Sequence, residues 1–156
     1  MIPIERPGLN PLEIEFILLD FEGTLAIDRR VNPKAKDKIN LLSKRTSIYV
    51  LSAQEKGLIE ERLRKVSAKF VYLAEGDAYR KKLDLLQQLG PSRCAAIGNG
   101  MGDAALMQEA GIGICVIGKE GSSGQAVKNA DLVFTDILDA LDFLLKPLRQ
   151  KATLGL

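Results

Sequence analysis

The chain has 156 residues, 46% of them hydrophobic, and a formal charge of +2 from 22 basic and 20 acidic side chains spread along its length. One core of ordinary size is expected, hence a single domain over 1–156, and the balanced charge gives no footing for a nucleic-acid partner. No run approaches the roughly 20 apolar residues that span a bilayer, and the first ten residues lack a leader's basic and apolar regions, so no membrane partner and a cytoplasmic location are expected.

Residues 1–13 hold three prolines and read as an irregular lead-in. The first strand is expected over 14–19, where Phe16, Ile17, Leu18 and Leu19 run without polar alternation, the habit of a central parallel strand buried on both faces. Asp20 closes that strand, and a glycine-containing turn follows it. Asn32 at the cap and Pro33 at the first helical position begin a helix through residue 43. A second strand covers 47–51 and ends at Ser52. The spacing of Leu58, Ile59, Leu63 and Val66 predicts a helix over 54–66, for which Ser52 also fits as a cap.

A third strand is expected over 69–73, then a helix from the Asp77 cap to Leu89, stopped by Gly90 and Pro91. The fourth strand, 94–97, runs into the loop Gly98-Asn99-Gly100-Met101-Gly102-Asp103, and a short helix reaches Ala110. A strand at 112–117, a helix around 123–129, a strand at 131–134 and a helix over 137–145 stopped by Pro147 complete the alternation, with 146–156 as a tail. Residues 121–124 read as a connecting loop. Cys94 and Cys115 stand among apolar neighbours in strands and are expected to be buried structural thiols. Strands alternating with helices at this spacing imply a three-layer α/β/α domain, Rossmann-like, with a mostly parallel central sheet.

Histidine is absent, which excludes Ser/His and Cys/His nucleophile pairs and histidine metal sites. Carboxylates, hydroxyls, lysines and the backbone are left to do chemistry. They converge in one crevice outside the carboxyl ends of the strands: Asp20 after the first, Ser52 after the second, the 98–103 loop after the fourth, and Lys82 from the start of a helix. In this order Asp20-Phe21-Glu22-Gly23-Thr24, Ser52, Lys82 and GNGMGD resemble the four motifs of the haloacid dehalogenase (HAD) superfamily of phosphatases and P-type ATPases. The later stretches AALMQEAGIGICVIGKEG and AVKNADLVFTD resemble the end of the P-type ATPase phosphorylation domain, and the whole is similar to small soluble P-type-ATPase-like members.

The resemblance implies a magnesium-dependent phosphatase. Asp20 would be the nucleophile that forms an aspartyl-phosphate, and Glu22 the acid and base. Ser52 and Lys82 would bind phosphate together with the backbone N–H groups of Phe21, Gly23 and Thr24. Magnesium would be held by Asp20, the Glu22 carbonyl, Asn99 and Asp103. Lys81, next to Lys82 in a basic run, stays open as the site lysine.

Two positions depart from the family pattern. Glu22 replaces an aspartate and moves its carboxyl outward by roughly 1.5 Å, where a displacement of about 1 Å can cost on the order of a hundredfold in rate, so a slow enzyme is expected. Asn99 replaces a metal-binding aspartate. Together they keep open a catalytically impaired binding or regulatory module, and the ATPase likeness keeps open an ATP hydrolase, although the nucleotide-binding insertion is missing. No interval is long enough for a cap domain. An open crevice suits a phosphorylated substrate large enough to cover it, or a lid supplied by a second copy of the chain, with the 146–156 tail as a candidate contact.

Overall fold

The computed structural model describes residues 1–74 and 76–155. The chain opens on a hairpin, β1 (Ile2–Ile4) and β2 (Leu12–Ile14), paired antiparallel with Ile2 opposite Ile14. The lead-in is therefore ordered structure. Its alternation buries Ile2, Ile4, Leu12 and Ile14 and turns Pro3 outward. Because Ile14 belongs to this hairpin, the first strand of the main sheet, β3, starts later than expected and spans Phe16–Asp20.

A second small hairpin follows, β4 (Ala26–Ile27) and β5 (Arg30–Val31), where the sequence reading placed only a turn. Its tip is Asp28 and Arg29, both left-handed with φ of 50° and 61°, as a two-residue hairpin turn requires. Then come α1 (Pro33–Leu42), β6 (Ser47–Ser52), α2 (Lys56–Arg62) and β7 (Lys69–Tyr72). The Asn32 side chain caps α1 by accepting from the Lys34 N–H, as expected. Helix α2 is shorter than 54–66 because the chain leaves helical geometry after Arg62.

The second half runs α3 (Ala78–Leu89), β8 (Cys94–Gly98), a 3₁₀ turn (Met101–Asp103), α4 (Ala104–Glu109), β9 (Ile112–Val116), α5 (Gly124–Asn129), β10 (Leu132–Phe134), α6 (Ile137–Leu145) and α7 (Pro147–Leu154). Pro147 thus begins a helix as well as ending one, since a proline at the first helical position loses no needed donor. The tail read over 146–156 is largely this helix, anchored by the buried Gln150, whose Nε2 donates to the Phe143 carbonyl at 2.8 Å; Leu156 lies outside the described residues.

Six strands form one parallel sheet in the order β10-β9-β8-β3-β6-β7. Period-two alternation splits β3 between two cores. Ile17 and Leu19 pack with α1, α2 and α6 on one face, while Leu18 packs with α3, α4 and α5 on the other. This is the expected three-layer α/β/α architecture, and among the described residues no cap domain interrupts it. The chain leaves β3 toward β6 and β7 and later returns to β8, so strand order reverses between β3 and β8. A crevice opens at such a reversal, outside the carboxyl ends of the strands. No described helix is long and apolar enough to cross a membrane.

Candidate active site

Asp20 is the last residue of β3, and the period that sends Leu18 toward the α3 face sends Asp20 there too. From that face α3 presents Lys82, which is buried, while Lys81 is exposed on the outside of the helix. Helix phase turns Lys82 inward and Lys81 to solvent. Lys82 Nζ donates to Asp20 Oδ1 at 2.9 Å and to Asp103 Oδ1 at 2.6 Å, so one ammonium bridges two carboxylates that arrive from opposite sides of the sheet reversal.

Asp103 is held by its own loop. Its Oδ2 accepts from the N–H groups of Asn99 at 3.3 Å and Gly100 at 3.1 Å. Gly98, at the end of β8, makes room for it: a Cβ there would lie 2.5 Å from Asp103 Cγ, closer than any side chain tolerates. Charge on the trio does not balance, because two carboxylates face one cation. Burial, then repulsion from Asp103, push the Asp20 carboxyl well above the ordinary carboxylate range despite Lys82. Burial pulls the Lys82 ammonium down, but Asp20 and Asp103 outweigh it and hold its pKa above the usual lysine value.

Glu22 and Ser52 meet each other. The Ser52 hydroxyl donates to Glu22 Oε1 in a short hydrogen bond, and the Gln54 N–H donates to Ser52 Oγ at 3.0 Å and to the same Glu22 oxygen at 3.3 Å. The residue expected to serve as acid and base and the hydroxyl expected to bind phosphate are therefore in contact. Of the backbone donors expected for phosphate, Phe21 N–H is spent on the Leu51 carbonyl at 3.0 Å and Gly23 N–H on the Ala26 carbonyl at 2.8 Å. The Glu22 and Thr24 N–H groups and the Glu22 carbonyl make no hydrogen bond among the described residues.

Asn99 is engaged inside the chain. Its Oδ1 accepts from the Thr24 hydroxyl at 3.0 Å and its Nδ2 donates to the Gly121 carbonyl at 3.1 Å. A carbonyl can only accept, so the nitrogen must face Gly121 and an aspartate could not make that bond. Gly23, with φ of 75°, fits against this amide, where a Cβ would stand 2.4 Å from Asn99 Nδ2. Ser122 Oγ adds a 2.7 Å bond to the Asn99 carbonyl, and the Ser123 N–H bonds the same oxygen at 2.9 Å. The 121–124 loop thus supports the acidic loop, a role its sequence as a plain connector did not reveal.

The donor chemistry suits a hard cation. Asp20, Asp103 and the Glu22 carbonyl offer oxygen, and the surplus negative charge on the trio favours a positive ion. Asn99 is the weak member of the expected ligand set, because its amide is already committed. Among the described residues no group of three histidine, cysteine, aspartate or glutamate side chains could hold a metal ion, so backbone oxygen and water would have to complete the shell. Cys94 and Cys115 are buried as expected; burial pushes the Cys94 thiol up to about 11 and raises that of Cys115, which keeps both out of nucleophilic chemistry.

No protein-family model matches the chain. The uncharacterized protein MJ0073 of Methanocaldococcus jannaschii is 45% identical over 83 residues, which make up 53% of this chain and 89% of that protein. Uncharacterized protein MJ0072 of the same organism is 43% identical over 37 residues, 24% of this chain and 84% of that one. Among solved structures, 3-deoxy-D-manno-octulosonate 8-phosphate phosphatase from Moraxella catarrhalis, in complex with magnesium, phosphate and KDO, superposes with a TM-score of 0.72 at 16% identity, over 91% of this chain and 92% of that one. A cobalt-bound deoxy-D-mannose-octulosonate 8-phosphate phosphatase from Haemophilus influenzae gives 0.71 at 17% identity, over 90% and 92%. A putative HAD superfamily (subfamily III A) hydrolase from Legionella pneumophila gives 0.71 at 18%, over 91% and 87%. The chain therefore belongs to one family with uncharacterized proteins MJ0073 and MJ0072, and its fold is that of the HAD superfamily.

Proposed function

We propose that the protein is a metal-dependent phosphomonoesterase that works through an aspartyl-phosphate on Asp20. The observation that carries this reading is the bridge of Lys82 between Asp20 and Asp103 at the sheet reversal. A buried ammonium there offsets repulsion between an anionic nucleophile and an anionic substrate, and the Ser52 hydroxyl with the Glu22 and Thr24 N–H groups, free among the described residues, would donate to phosphoryl oxygens. In the first step an Asp20 oxygen bonds to phosphorus, the ester P–O bond breaks, and protonated Glu22 gives its proton to the departing oxygen. In the second, Glu22 takes a proton from water as that water bonds to phosphorus, the bond from phosphorus to Asp20 breaks, and inorganic phosphate leaves.

A divalent cation, magnesium in the first instance, would be held by Asp20, the Glu22 carbonyl and Asp103, and would supply positive charge to the phosphoryl group and to the crowded carboxylates. Similar folds crystallised with magnesium or cobalt support that choice. Without a cap, the reading includes a substrate or a second copy of the chain that covers the crevice. Leu148 on α7 is 81% exposed, which suits such a contact. A second reading, phosphate-ester binding without turnover, is favoured by one contact: Ser52 and Glu22 satisfy each other and must part before either can serve a substrate.

Hydrolysis of a panel of phosphomonoesters with and without magnesium, by wild type beside Asp20→Asn, separates the two. Magnesium-dependent release of phosphate that disappears in Asp20→Asn is expected. Saturable binding of an ester with no release above the variant would establish the second reading.

A further inference from the structure

On the face of the sheet away from Lys82 lies a cleft of about 400 Å³ that shares Thr24 alone with the phosphatase chemistry proposed above. Leu25, Val116 and Ile137, all in the core that packs against α1 and α6, form its apolar floor. Lys82 enters from the opposite face, next to Leu86 of the other core, so the nucleophile loop separates the two sites. A pocket of this volume with an apolar floor and a few charged groups has the make-up of a small-molecule site.

The charges on its rim do not cancel. Arg30, from the β4–β5 hairpin, and Lys119, from the loop after β9, are both exposed, and neither has a carboxylate partner among the described residues. Asp136 is the carboxylate of the lining, and its Oδ1 is occupied in capping α6 through the Leu138 N–H at 2.7 Å. Glu120 beside Lys119 is likewise occupied, accepting from the Asp28 N–H at 3.1 Å. Arg30 and Lys119 against Asp136 leave the lining one net positive charge, and a guanidinium and an ammonium at the edge of an apolar floor match a compact molecule that carries two acidic groups.

We propose that this cleft is a second ligand site, for a small organic anion with two acidic groups, separate from the crevice at Asp20. It needs no turnover at Asp20 and stands whether or not the protein is a phosphatase. Thr24 lines the cleft while its hydroxyl holds the Asn99 amide, so the two sites share a wall.

The metal-free protein isolates the cleft, because no divalent cation is then present to draw an anion to Asp20 and Asp103. Calorimetric titration of that protein with 3-phosphoglycerate is expected to show saturable binding at one site. Arg30→Gln and Lys119→Gln should each weaken it at least about tenfold, the scale of a lost charge-assisted contact, with unchanged melting temperatures. Ser52→Ala, in the crevice, should leave it unchanged, and inorganic phosphate alone should bind more weakly. No binding to the metal-free wild type, binding indifferent to both cation variants, or binding lost in Ser52→Ala would overturn the proposal, and phosphate binding as tightly as 3-phosphoglycerate would overturn its two-acid part.

Discussion

Two buried carboxylates share one ammonium at the end of β3, and the imbalance falls on Asp20. Its carboxyl binds a proton more tightly in the folded chain than in the unfolded one, first because it is buried and then because Asp103 repels it. The stabilisation this proton gives is complete below the unfolded carboxyl's pKa of about 3.9, and it is lost as pH rises through the folded value. A neutral isostere escapes the loss. Metal-free Asp20→Asn should therefore melt above metal-free wild type at pH 8, the gap should close toward pH 4, and magnesium should stabilise the wild type far more than the variant. Thermal melts across that pH range check all three.

At this scale the sequence was informative where chemistry forces a residue type and silent where contact decides. Asp20, Ser52 and Asp103 were legible because each closes a strand or sits in a loop beside one. Lys82 could be told from Lys81 only through the phase of α3, which turns one inward and the other to solvent. The commitment of the Asn99 amide to Thr24 and Gly121 joins residues 75 and 22 positions away in the chain, and no local pattern encodes it.

The β4–β5 hairpin is the element the sequence hid best. Its strands are two residues long, and its tip places Asp28 and Arg29 in left-handed backbone without a glycine. That conformation is uncommon outside glycine and asparagine, and tertiary contacts hold it. The Asp28 N–H donates to Glu120 at 3.1 Å on one side, and the Arg29 carbonyl accepts from Arg62 Nε at 2.8 Å on the other. The tip is thus pinned between the loop after β9 and the end of α2. If each pin is worth about 1 kcal/mol, losing one should raise the open population of the hairpin roughly fivefold. Hydrogen exchange in residues 26–31 should quicken by that order in Arg62→Ala and again in the double variant with Glu120→Ala. Unchanged exchange would mean that packing of Ala26 and Val31 holds the hairpin instead.

The opening hairpin was hidden for a different reason. Its alternation of buried and exposed positions is clean, but each strand has three residues, too few to outweigh the prolines around them. Helix α7 was missed because Pro147 reads equally as a stop and as a start, and only the buried Gln150 decides.

At the scale of the whole molecule the alternation of strands and helices in the six-stranded sheet was legible, because a strand buried on both faces needs an unbroken apolar run and each crossover needs an amphipathic helix. Strand order follows from handed crossovers, and the sheet reversal between β3 and β8 then gathers Asp20, Lys82 and Asp103 from residues up to 83 positions apart. The fold brings two carboxylates and a cation to one crevice, and among the described residues no cap domain covers it.

Covalent catalysis by Asp20 can be read out by acid-quenching the protein during turnover of an excess of phosphomonoester with magnesium and mapping any phosphoryl group by mass spectrometry. A phosphoryl group is expected on the peptide that contains Asp20, removed by hydroxylamine as an acyl phosphate should be, and absent without magnesium and in Asp20→Asn. Steady hydrolysis with no such adduct, or a phosphoryl group carried on any other residue, would contradict it.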